Sequence, residues 1–350
     1  MSVLDLIRPD LVEMKTYTPI GDDLDCRLHA NELPWTPLSL NNLALNYYPD
    51  RAEQNKLQAQ IADYYQVKME ELLITRGSDD AIDFLMRFFL SARQDSFLQC
   101  PPTFPMYEFY ARLQQVEVIN CPLEEKNEFK ISKEKLIALW RPNCKLIILC
   151  SPNNPTGTLI DLDTIARLCE QFKNKAALVI DEAYIDFSES PSASTLLSLF
   201  DNLIVLRTLS KAHGLAGLRL GAILAQPQLI KAMNNAIPPY TLPSAVINLA
   251  QLALKDKEWF SVKIKLILKE RKLLIVELSK LSFIEKIYPS HGNFILIASV
   301  HAQNLAAWCR EKGIAVRYFS VDPLQKMLRI TVGNSDQSQR LLTAFTSFKP

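Results

Sequence analysis

The sequence lacks several features that would indicate whole classes of protein. Its 350 residues include 39 basic and 38 acidic side chains, a net charge of +1 that leaves no basic surplus for binding nucleic acid. No apolar run approaches the roughly 18–20 residues that a membrane-spanning helix needs. Histidine occurs four times without a ligand-like spacing, and the seven cysteines form no CxxC motif. These absences argue against a nucleic-acid-binding protein, a membrane protein and a metal site.

The N-terminal stretch also lacks the pattern of an export signal. Residues 1–15 include acidic side chains and show no positively charged segment followed by an apolar one. Several cysteines lie in apolar, strand-like runs, which favours buried thiols in a reducing compartment over disulfides. We therefore expect a cytoplasmic protein.

Between about residues 50 and 225, strand-like and helix-like segments alternate. The strand-like runs are short and continuously apolar, which is typical of strands covered on both faces. They lie at 72–77, 95–100, 116–121, 145–150, 177–181, 203–209 and 221–225. The helix-like segments lie at 51–67, 78–92, 132–140 and 162–172. This alternation predicts an α/β fold with a mostly parallel, seven-stranded sheet flanked by helices.

The pattern changes beyond residue 243. A long helical stretch comes first, followed by strand-like runs that enclose one further helix. These segments lie at about 245–281, 294–299, 302–312, 313–319 and 327–333. We expect two domains: a large one at 40–242, and a smaller α+β domain formed by 243–350 together with an N-terminal arm at 1–39.

Polar or aromatic residues follow five of the predicted strands, at the sheet edge where open α/β proteins bind ligands. They are Ser78 and Asp79 at the start of a helix, Phe104 in a proline-rich run, Asn154, Asp181 with Tyr184, and Ser210 with Lys211. Any one of these groups could be an ordinary turn or helix cap. Because all five fall at the same edge, the sequence predicts a binding site there.

These residue types suit pyridoxal phosphate (PLP). A lysine can form a Schiff base with the cofactor aldehyde, and an aspartate can keep the pyridine nitrogen protonated so that the ring withdraws electrons. A helix N-terminus, hydroxyl groups and an arginine can hold the phosphate. An aromatic side chain can stack on the ring.

Three runs resemble those of the fold type I PLP-dependent aminotransferases. They are SPNNPTG (151–157), DEAYIDF (181–187) and TLSKAHGLAGLRLG (208–221). Four others are similar, more narrowly, to runs of the histidinol-phosphate aminotransferases. These are ANELPW (30–35), YYPD (47–50), PPTFPMY (101–107) and LRITVG (328–333). The matching stretches extend from about residue 28 to 333.

The resemblance implies a role for each matching residue. Lys211 matches the Schiff-base lysine that also moves the proton of the substrate Cα, and Asp181 matches the partner of the pyridine nitrogen. The other cofactor-binding matches are Asn154 and Tyr184 at the ring oxygen O3′, Phe104 against the ring, and Ser78, Asp79, Ser210 and Arg219 at the phosphate. Tyr48 matches a tyrosine that reaches the phosphate of the neighbouring subunit, which implies a homodimer with shared active sites.

At the substrate end, Arg329 matches the arginine that pairs with a substrate carboxylate. The resemblance adds Arg317, Tyr17 and Asn31. Two arginines suit a phosphate dianion better than they suit a single carboxylate, and they also let glutamate use the same site through its carboxylates. The implied reaction is a reversible transamination in histidine biosynthesis. It interconverts L-histidinol phosphate and 2-oxoglutarate with imidazole-acetol phosphate and L-glutamate.

Three other functions are compatible with the same motifs. An aromatic amino acid aminotransferase would keep the fold and change the substrate. A decarboxylase of the threonine-phosphate type would keep the lysine, the aspartate and the arginines, and would release carbon dioxide. A non-catalytic sensor would keep only the fold, which the intact set of catalytic residues disfavours. His213, within the lysine run, is expected to pack rather than to act as an acid or base.

Overall fold

The structure is a computed structural model that describes residues 26–29, 31, 34–35, 49, 51–238 and 240–349. Its strands, in chain order, are β1 (Cys26–Arg27), β2 (Leu72–Thr75), β3 (Ser96–Gln99), β4 (Glu117–Asn120), β5 (Cys144–Cys150), β6 (Ala177–Asp181), β7 (Leu203–Thr208), β8 (Gly221–Leu224), β9 (Lys286–Ile287), β10 (Phe294–Ala298), β11 (Ile314–Ala315), β12 (Arg317–Tyr318) and β13 (Met327–Thr331). Its α-helices are α1 (Arg51–Tyr65), α2 (Ser78–Phe89), α3 (Met106–Leu113), α4 (Lys133–Leu139), α5 (Leu162–Phe172), α6 (Pro227–Asn234), α7 (Ser244–Ala253), α8 (Lys257–Leu278), α9 (Ala302–Glu311) and α10 (Ser335–Thr346).

The larger sheet has the strand order β2-β8-β7-β6-β5-β3-β4. Neighbouring strands from β7 to β4 are parallel, whereas β8 is antiparallel to both β2 and β7. The connection from β7 to β8 contains only a short 3₁₀ helix, Ala216–Leu218, so no helix crosses over the sheet and β8 returns antiparallel. The predicted α/β class, with a mostly parallel seven-stranded sheet, is confirmed.

Both faces of this sheet are buried, because helices cover each side. Along β6, Leu178 and Ile180 belong to the core that includes α1 and α5, whereas Val179 belongs to the core that includes α2, α3 and α6. This alternation follows from the two-residue period of a strand. It explains why β5 to β7 read as continuous apolar runs and not as alternating ones.

A second, antiparallel sheet has the order β12-β13-β10-β9. The helices α8, α9 and α10 pack on it, and their apolar side chains form a separate core with those of β10 and β13. The short strands β1 and β11 pair in parallel beside it. This sheet and its helices are the smaller α+β part that the sequence predicts; the predicted domain boundaries at residues 39, 40, 242 and 243 stay a prediction.

Two element predictions were wrong in detail. The stretch at 245–281 is two helices, α7 and α8, because Asp256 starts a new helix by accepting a hydrogen bond from the Trp259 amide at 2.9 Å. The run at 313–319 is two strands, since β11 pairs with β1 and β12 pairs with β13. Among the described residues, no helix combines the length and the apolar character that a membrane span requires.

Candidate active site

A cavity opens at the carboxyl ends of β5, β6 and β7, with about 450 Å³ of empty space when the solvent at its mouth is included. The described residues that line it are Ser78, Asp79, Phe104, Cys150, Asn154, Asp181, Ala183, Tyr184, Ser210, Lys211 and Arg219. Nine of these eleven are predicted cofactor-binding residues; only Cys150 and Ala183 are additional. The predicted residues Tyr48 and Tyr17 lie outside the described residues.

One end of the cavity is suited to an anion. The helix α2 begins there at Ser78, so its first backbone amides and its positive dipole end face the cavity. Arg219 donates to the Ser210 hydroxyl at 3.4 Å and to the Asp79 carboxylate at 3.0 Å. The chain reaches this position through Gly77, whose φ of +87° favours glycine. An arginine, a hydroxyl and a helix N-terminus thus converge on one point.

A second glycine allows the strand β8 to lie against that helix start. A Cβ atom at Gly221 would lie 2.8 Å from the Gly77 carbonyl carbon and 2.9 Å from the Ser78 amide nitrogen. Any side chain at this position would therefore force the anion-binding turn away from the sheet. The absence of a side chain at Gly221 sets the position of Ser78 and Asp79.

Lys211 follows the end of β7, and its neighbours fix the turn that carries it. The Thr208 hydroxyl accepts a hydrogen bond from the Ser210 amide at 3.1 Å, which bends the chain after the strand. The Gly214 amide donates to the Lys211 carbonyl oxygen at 3.2 Å. The Lys211 ammonium nitrogen lies 5.9 Å from the centre of the Tyr184 ring, inside the cavity.

Asp181 is the last residue of β6, and its carboxylate is buried at the base of the cavity. The Tyr107 hydroxyl donates to Oδ2 at 2.6 Å, and the Ala183 amide donates to Oδ1 at 3.1 Å. Burial raises the pKa of Asp181 to about 6, although both hydrogen bonds oppose that shift. The carboxylate is therefore short of positive charge, which a protonated ring nitrogen would provide.

The Tyr184 hydroxyl is held between two amide side chains. Asn31 donates to it at 3.1 Å, and Asn154 Nδ2 lies 3.5 Å from it. Burial raises the pKa of Tyr184 well above its ordinary value, so the hydroxyl keeps its proton. Asn31 has a φ of +56° and is fixed by the Thr331 hydroxyl, which donates to Asn31 Oδ1 at 2.7 Å. Asn31, predicted near the substrate end, thus contacts the cavity lining through Tyr184.

The two predicted substrate arginines lie side by side on the smaller sheet. Arg317 of β12 is the direct antiparallel partner of Arg329 of β13, so both side chains project from the same face. Arg329 is buried; it donates to Asn154 Oδ1 and, at 2.6 Å, to the His29 carbonyl oxygen. Arg329 therefore reaches the cavity through Asn154, and Arg317 lies one strand further out.

The loop after β5 depends on a residue that the sequence analysis did not single out. Asn153 donates to the Pro102 carbonyl oxygen at 2.9 Å and to the Thr156 hydroxyl at 2.8 Å, and it accepts a hydrogen bond from Thr103 at 2.8 Å. These bonds tie the loop that carries Asn154 to the loop that carries Phe104. The doubled asparagine in SPNNPTG was the available signal, because one asparagine faces the cavity and the other organises the loop.

The His213 imidazole and the cysteine thiols form no separate site in the described part of the chain, although Cys150 lines the cavity. The ring of His213 packs against Tyr64 and Phe260, with ring centres 4.6 and 4.8 Å apart, and burial lowers its pKa to about 4, as expected for a packing residue. The seven cysteines are all buried and none is in a disulfide. Within the described part of the chain, potential metal ligands do not gather in groups of three or more.

The donor set of the cavity fits PLP. A lysine is present for the aldehyde, a buried carboxylate short of positive charge for the pyridine nitrogen, and a phenol with an amide for the ring oxygen. The Arg219 end matches a phosphate, and the half-buried ring of Phe104 forms an apolar wall. Each functional group of the cofactor has a chemically matched partner among the lining residues.

Comparisons with known proteins identify a matching family and named relatives. Residues 14–345 match the sequence model of the family described as aminotransferase class I and II. A protein named histidinol-phosphate aminotransferase 1 from Legionella pneumophila (strain Paris) is 49% identical over 349 residues, covering 99% of this chain and 96% of that protein. One named histidinol-phosphate aminotransferase from Xanthomonas axonopodis pv. citri (strain 306) is 37% identical, covering 98% and 96%.

A solved structure supports the fold. The histidinol-phosphate aminotransferase from Sinorhizobium meliloti, in complex with pyridoxal-5′-phosphate, superposes with a TM-score of 0.84 at 21% identity. The match covers 96% of this chain and 95% of that chain. At this identity the likeness concerns the arrangement of helices and strands.

Proposed function

Because the chain belongs to the aminotransferase class I and II family, we propose that it is a histidinol-phosphate aminotransferase. It is a PLP-dependent aminotransferase. The reaction is the reversible exchange of an amino group between L-histidinol phosphate and 2-oxoglutarate, which gives imidazole-acetol phosphate and L-glutamate. The observation that carries the choice of substrate is the cross-strand pair of Arg317 and Arg329 beside Asn154.

The proposed roles of the cofactor-binding residues follow from their positions in the cavity. When bound, PLP supplies an electron-withdrawing ring that makes the substrate Cα–H bond acidic. Lys211 binds the aldehyde carbon and later moves the Cα proton, and Asp181 holds a proton at the ring nitrogen. Asn154 and Tyr184 hydrogen-bond O3′.

The anion-binding end takes the cofactor phosphate in this proposal. The backbone amides at Ser78 and Asp79, the Ser210 hydroxyl and the Arg219 guanidinium supply donors from two different segments of the chain. Phe104 packs against the ring face. These contacts fix the cofactor at both ends, so the aldehyde carbon is presented to Lys211 in one orientation.

The two arginines recognise the substrate in this proposal. Arg329 binds two oxygens of the substrate's phosphate or carboxylate group. Arg317, beside it, adds the second positive charge that a phosphate dianion requires. Glutamate uses the same groups through its carboxylates. Asn31 and Tyr17 complete the substrate end, Asn31 by orienting the Tyr184 hydroxyl.

We further propose that the protein is a cytoplasmic homodimer. The basis for the dimer is the similarity of Tyr48 to a tyrosine that reaches the phosphate of the neighbouring subunit, so that each site is shared between two chains. The basis for the location is the set of buried thiols without disulfides, together with a biosynthetic substrate.

The test is a titration of the purified, PLP-loaded protein, following the absorbance of the bound cofactor. L-Histidinol phosphate should convert the cofactor to its amino form at lower concentration than L-glutamate or L-phenylalanine does. Tighter conversion by phenylalanine would indicate an aromatic amino acid aminotransferase. Release of carbon dioxide from threonine phosphate would indicate a decarboxylase. No spectral change with any of these amines would contradict the aminotransferase assignment.

A matched pair of variants sharpens the assignment of the substrate. Arg317→Ala should raise the concentration of histidinol phosphate needed for half conversion by about tenfold, and that of glutamate by less, because a dianion loses more than a carboxylate does when one of two cations is removed. Arg340→Ala, an exposed arginine on α10, is the control and should change neither value. Equal effects of Arg317→Ala on both substrates would contradict the phosphate-binding role.

A further inference from the structure

We infer that Tyr107 is a positioning residue for the reaction: its hydroxyl group holds the Asp181 carboxylate in the orientation and the ionised form that keep the cofactor ring nitrogen protonated. This inference rests on the proposed contact between Asp181 and that nitrogen. The basis is a buried hydrogen bond of 2.6 Å from the Tyr107 hydroxyl to Asp181 Oδ2, between residues 74 positions apart. A single residue of α3 thus reaches the end of β6 from outside the cavity lining.

The geometry leaves Tyr107 no other orientation. Its side chain is fully buried in the core formed with α2 and α6, and its ring meets that of Phe104 edge-on, with ring centres 5.6 Å apart and an angle of 82° between the planes. The packing of the ring therefore fixes the position of the hydroxyl group relative to the Asp181 carboxylate. The same ring supports Phe104, the apolar wall of the cavity, so Tyr107 connects the wall to the charged base.

The two oxygens of Asp181 are held by different donors. Tyr107 occupies one lone pair of Oδ2, and the Ala183 amide occupies one of Oδ1. Each oxygen keeps a further lone pair, so the carboxylate is fixed in plane while it can still accept a proton donor from the cavity. Without the hydroxyl, the carboxyl group could rotate away from the ring nitrogen.

The ionisation of Asp181 also depends on its hydrogen bonds, because burial favours the protonated form of the carboxyl group. The ionisable groups that face it are Asp79 from α2, Cys150 from β5, Tyr184, and Lys211 after β7. Asp79 disfavours the ionised form and Lys211 favours it. Tyr107 adds a neutral donor that stabilises the carboxylate without adding charge. If the donor were lost, the shared proton would move from the ring nitrogen towards Asp181.

The experiment compares Tyr107→Phe with Tyr65→Phe in the PLP-loaded enzyme. Tyr65 is a matched control, since its hydroxyl is also buried but has no hydrogen-bond partner among the described residues. Tyr107→Phe should lower kcat about tenfold, the loss expected for one hydrogen bond to a charged group, and should leave KM for the amino substrate within about twofold. Tyr65→Phe should change neither.

The decisive readout is the ¹⁵N chemical shift of PLP labelled at its ring nitrogen, which reports the protonation of that atom directly. In Tyr107→Phe the shift should move towards that of the neutral ring, because the proton shared between the ring nitrogen and Asp181 moves towards the carboxylate. A Tyr107→Phe enzyme with the shift and kcat of the wild type would overturn the inference. So would a lower kcat with an unchanged shift, because a merely structural role would produce that result.

A double-mutant cycle separates this inference from the proposed function. In an Asp181→Asn background, adding Tyr107→Phe should cost little further rate, because the group it acts on is already neutral. If Asp181→Asn itself leaves the rate unchanged, the proposed role of Asp181 is wrong. If Asp181→Asn lowers the rate and Tyr107→Phe does not, only the inference is wrong.

A second substitution covers the case in which Tyr107→Phe does not fold. Replacement of Tyr107 by 3-fluorotyrosine keeps the ring and the hydrogen bond and makes the hydroxyl a stronger donor. The ¹⁵N shift should then stay at the wild-type value or move further towards that of the protonated ring. A shift towards that of the neutral ring would contradict the inference.

Discussion

At the scale of single residues, the end of β6 buries two consecutive carboxylates on opposite faces. Asp181 faces the cavity, whereas Glu182 contacts Arg207 and accepts hydrogen bonds from Ser192 and the Ala193 amide. Burial raises the pKa of Glu182 to about 7. Glu182 has a nearby guanidinium, but Asp181 has only neutral hydrogen-bond donors and the more distant Lys211. The lack of a close cation beside Asp181 fits its proposed contact with a protonated ring nitrogen.

The buried charge of Asp181 should make the protein without cofactor less stable as the pH rises. Its pKa in the folded state is about 6, above the ordinary value of 3.8, so the folded state holds an extra proton between these pH values. The free energy of unfolding should therefore fall between about pH 4 and pH 7, by on the order of 3 kcal/mol for this group. Asp181→Asn removes this contribution and leaves that of Glu182 in place.

The measurement is the denaturant-induced unfolding of the cofactor-free wild type and Asp181→Asn proteins across that pH range. The free energy of unfolding of the wild type, minus that of the variant, should decrease as the pH rises towards 7. A difference that stays constant would show that the Asp181 carboxylate is not perturbed by burial. A difference that grows would show that its pKa is lowered in the folded state.

At the scale of secondary-structure elements, much of the fold follows from the sequence, because short apolar runs and their alternation with helices specify the covered parallel sheet. The strand ends could be predicted for the same reason, and with them Asn154, Asp181, Tyr184, Ser210 and Lys211, which line the cavity. Arg219 was predicted only through the resemblance of its sequence run to those of the aminotransferases. The break between two helices at Asp256 could not be predicted, because the sequence has the apolar spacing of a helix on both sides of it. The Tyr107–Asp181 contact joins residues 74 apart and leaves no local pattern.

The close approach of β8 to the start of α2 makes a prediction about two glycines in the same segment. Gly221→Ala should lower both the thermal stability and the affinity for PLP, because its Cβ would lie 2.8 Å from the Gly77 backbone and push the anion-binding turn away. A loss of about 1–3 kcal/mol in stability and about tenfold in affinity is expected. Gly217→Ala is the matched control, since a Cβ there meets no atom within 4 Å.

Thermal melting and a fluorescence titration with PLP give both quantities for each variant. Equal behaviour of the two variants would show that backbone contact at Gly221 does not position the helix start. If Gly221→Ala loses stability but keeps its affinity for PLP, the substitution strains a part of the chain other than the proposed phosphate-binding turn.

At the scale of the whole molecule, the site lies where the two sheets meet. The smaller sheet supplies Arg329, which contacts Asn154 in the loop after β5. The same loop approaches the smaller part of the chain at Gly157, whose carbonyl oxygen accepts a hydrogen bond from the His291 amide at 2.9 Å. A Cβ at Gly157 would lie 2.8 Å from the Ser290 Cα. One side-chain and one backbone hydrogen bond thus join the residues proposed to hold the cofactor to those proposed to bind the substrate. Any movement of the smaller sheet would therefore move Arg329 relative to the proposed cofactor site.

The proposed sharing of sites between two chains makes a prediction that no single-chain property can imitate. Lys211→Ala should be inactive, and Tyr48→Ala should bind PLP weakly, because it withdraws a phosphate contact from the partner subunit. A hybrid dimer of the two variants contains one site with neither substitution: Lys211 comes from the Tyr48→Ala chain and Tyr48 from the Lys211→Ala chain. After the two are unfolded together and refolded as a mixture, half of the dimers should be hybrids, and activity should return to about a quarter of the wild-type value at limiting PLP.

Each variant refolded alone is the control, and it should stay at its own low activity. If the mixture shows only the average of the two controls although hybrid dimers form, as judged by mass spectrometry with one chain tagged, then Tyr48 acts within its own chain. If neither the variants nor their mixture form dimers, the proposal of a homodimer is wrong. Restored activity requires a site built from two chains, because neither variant supplies both Lys211 and Tyr48 on its own.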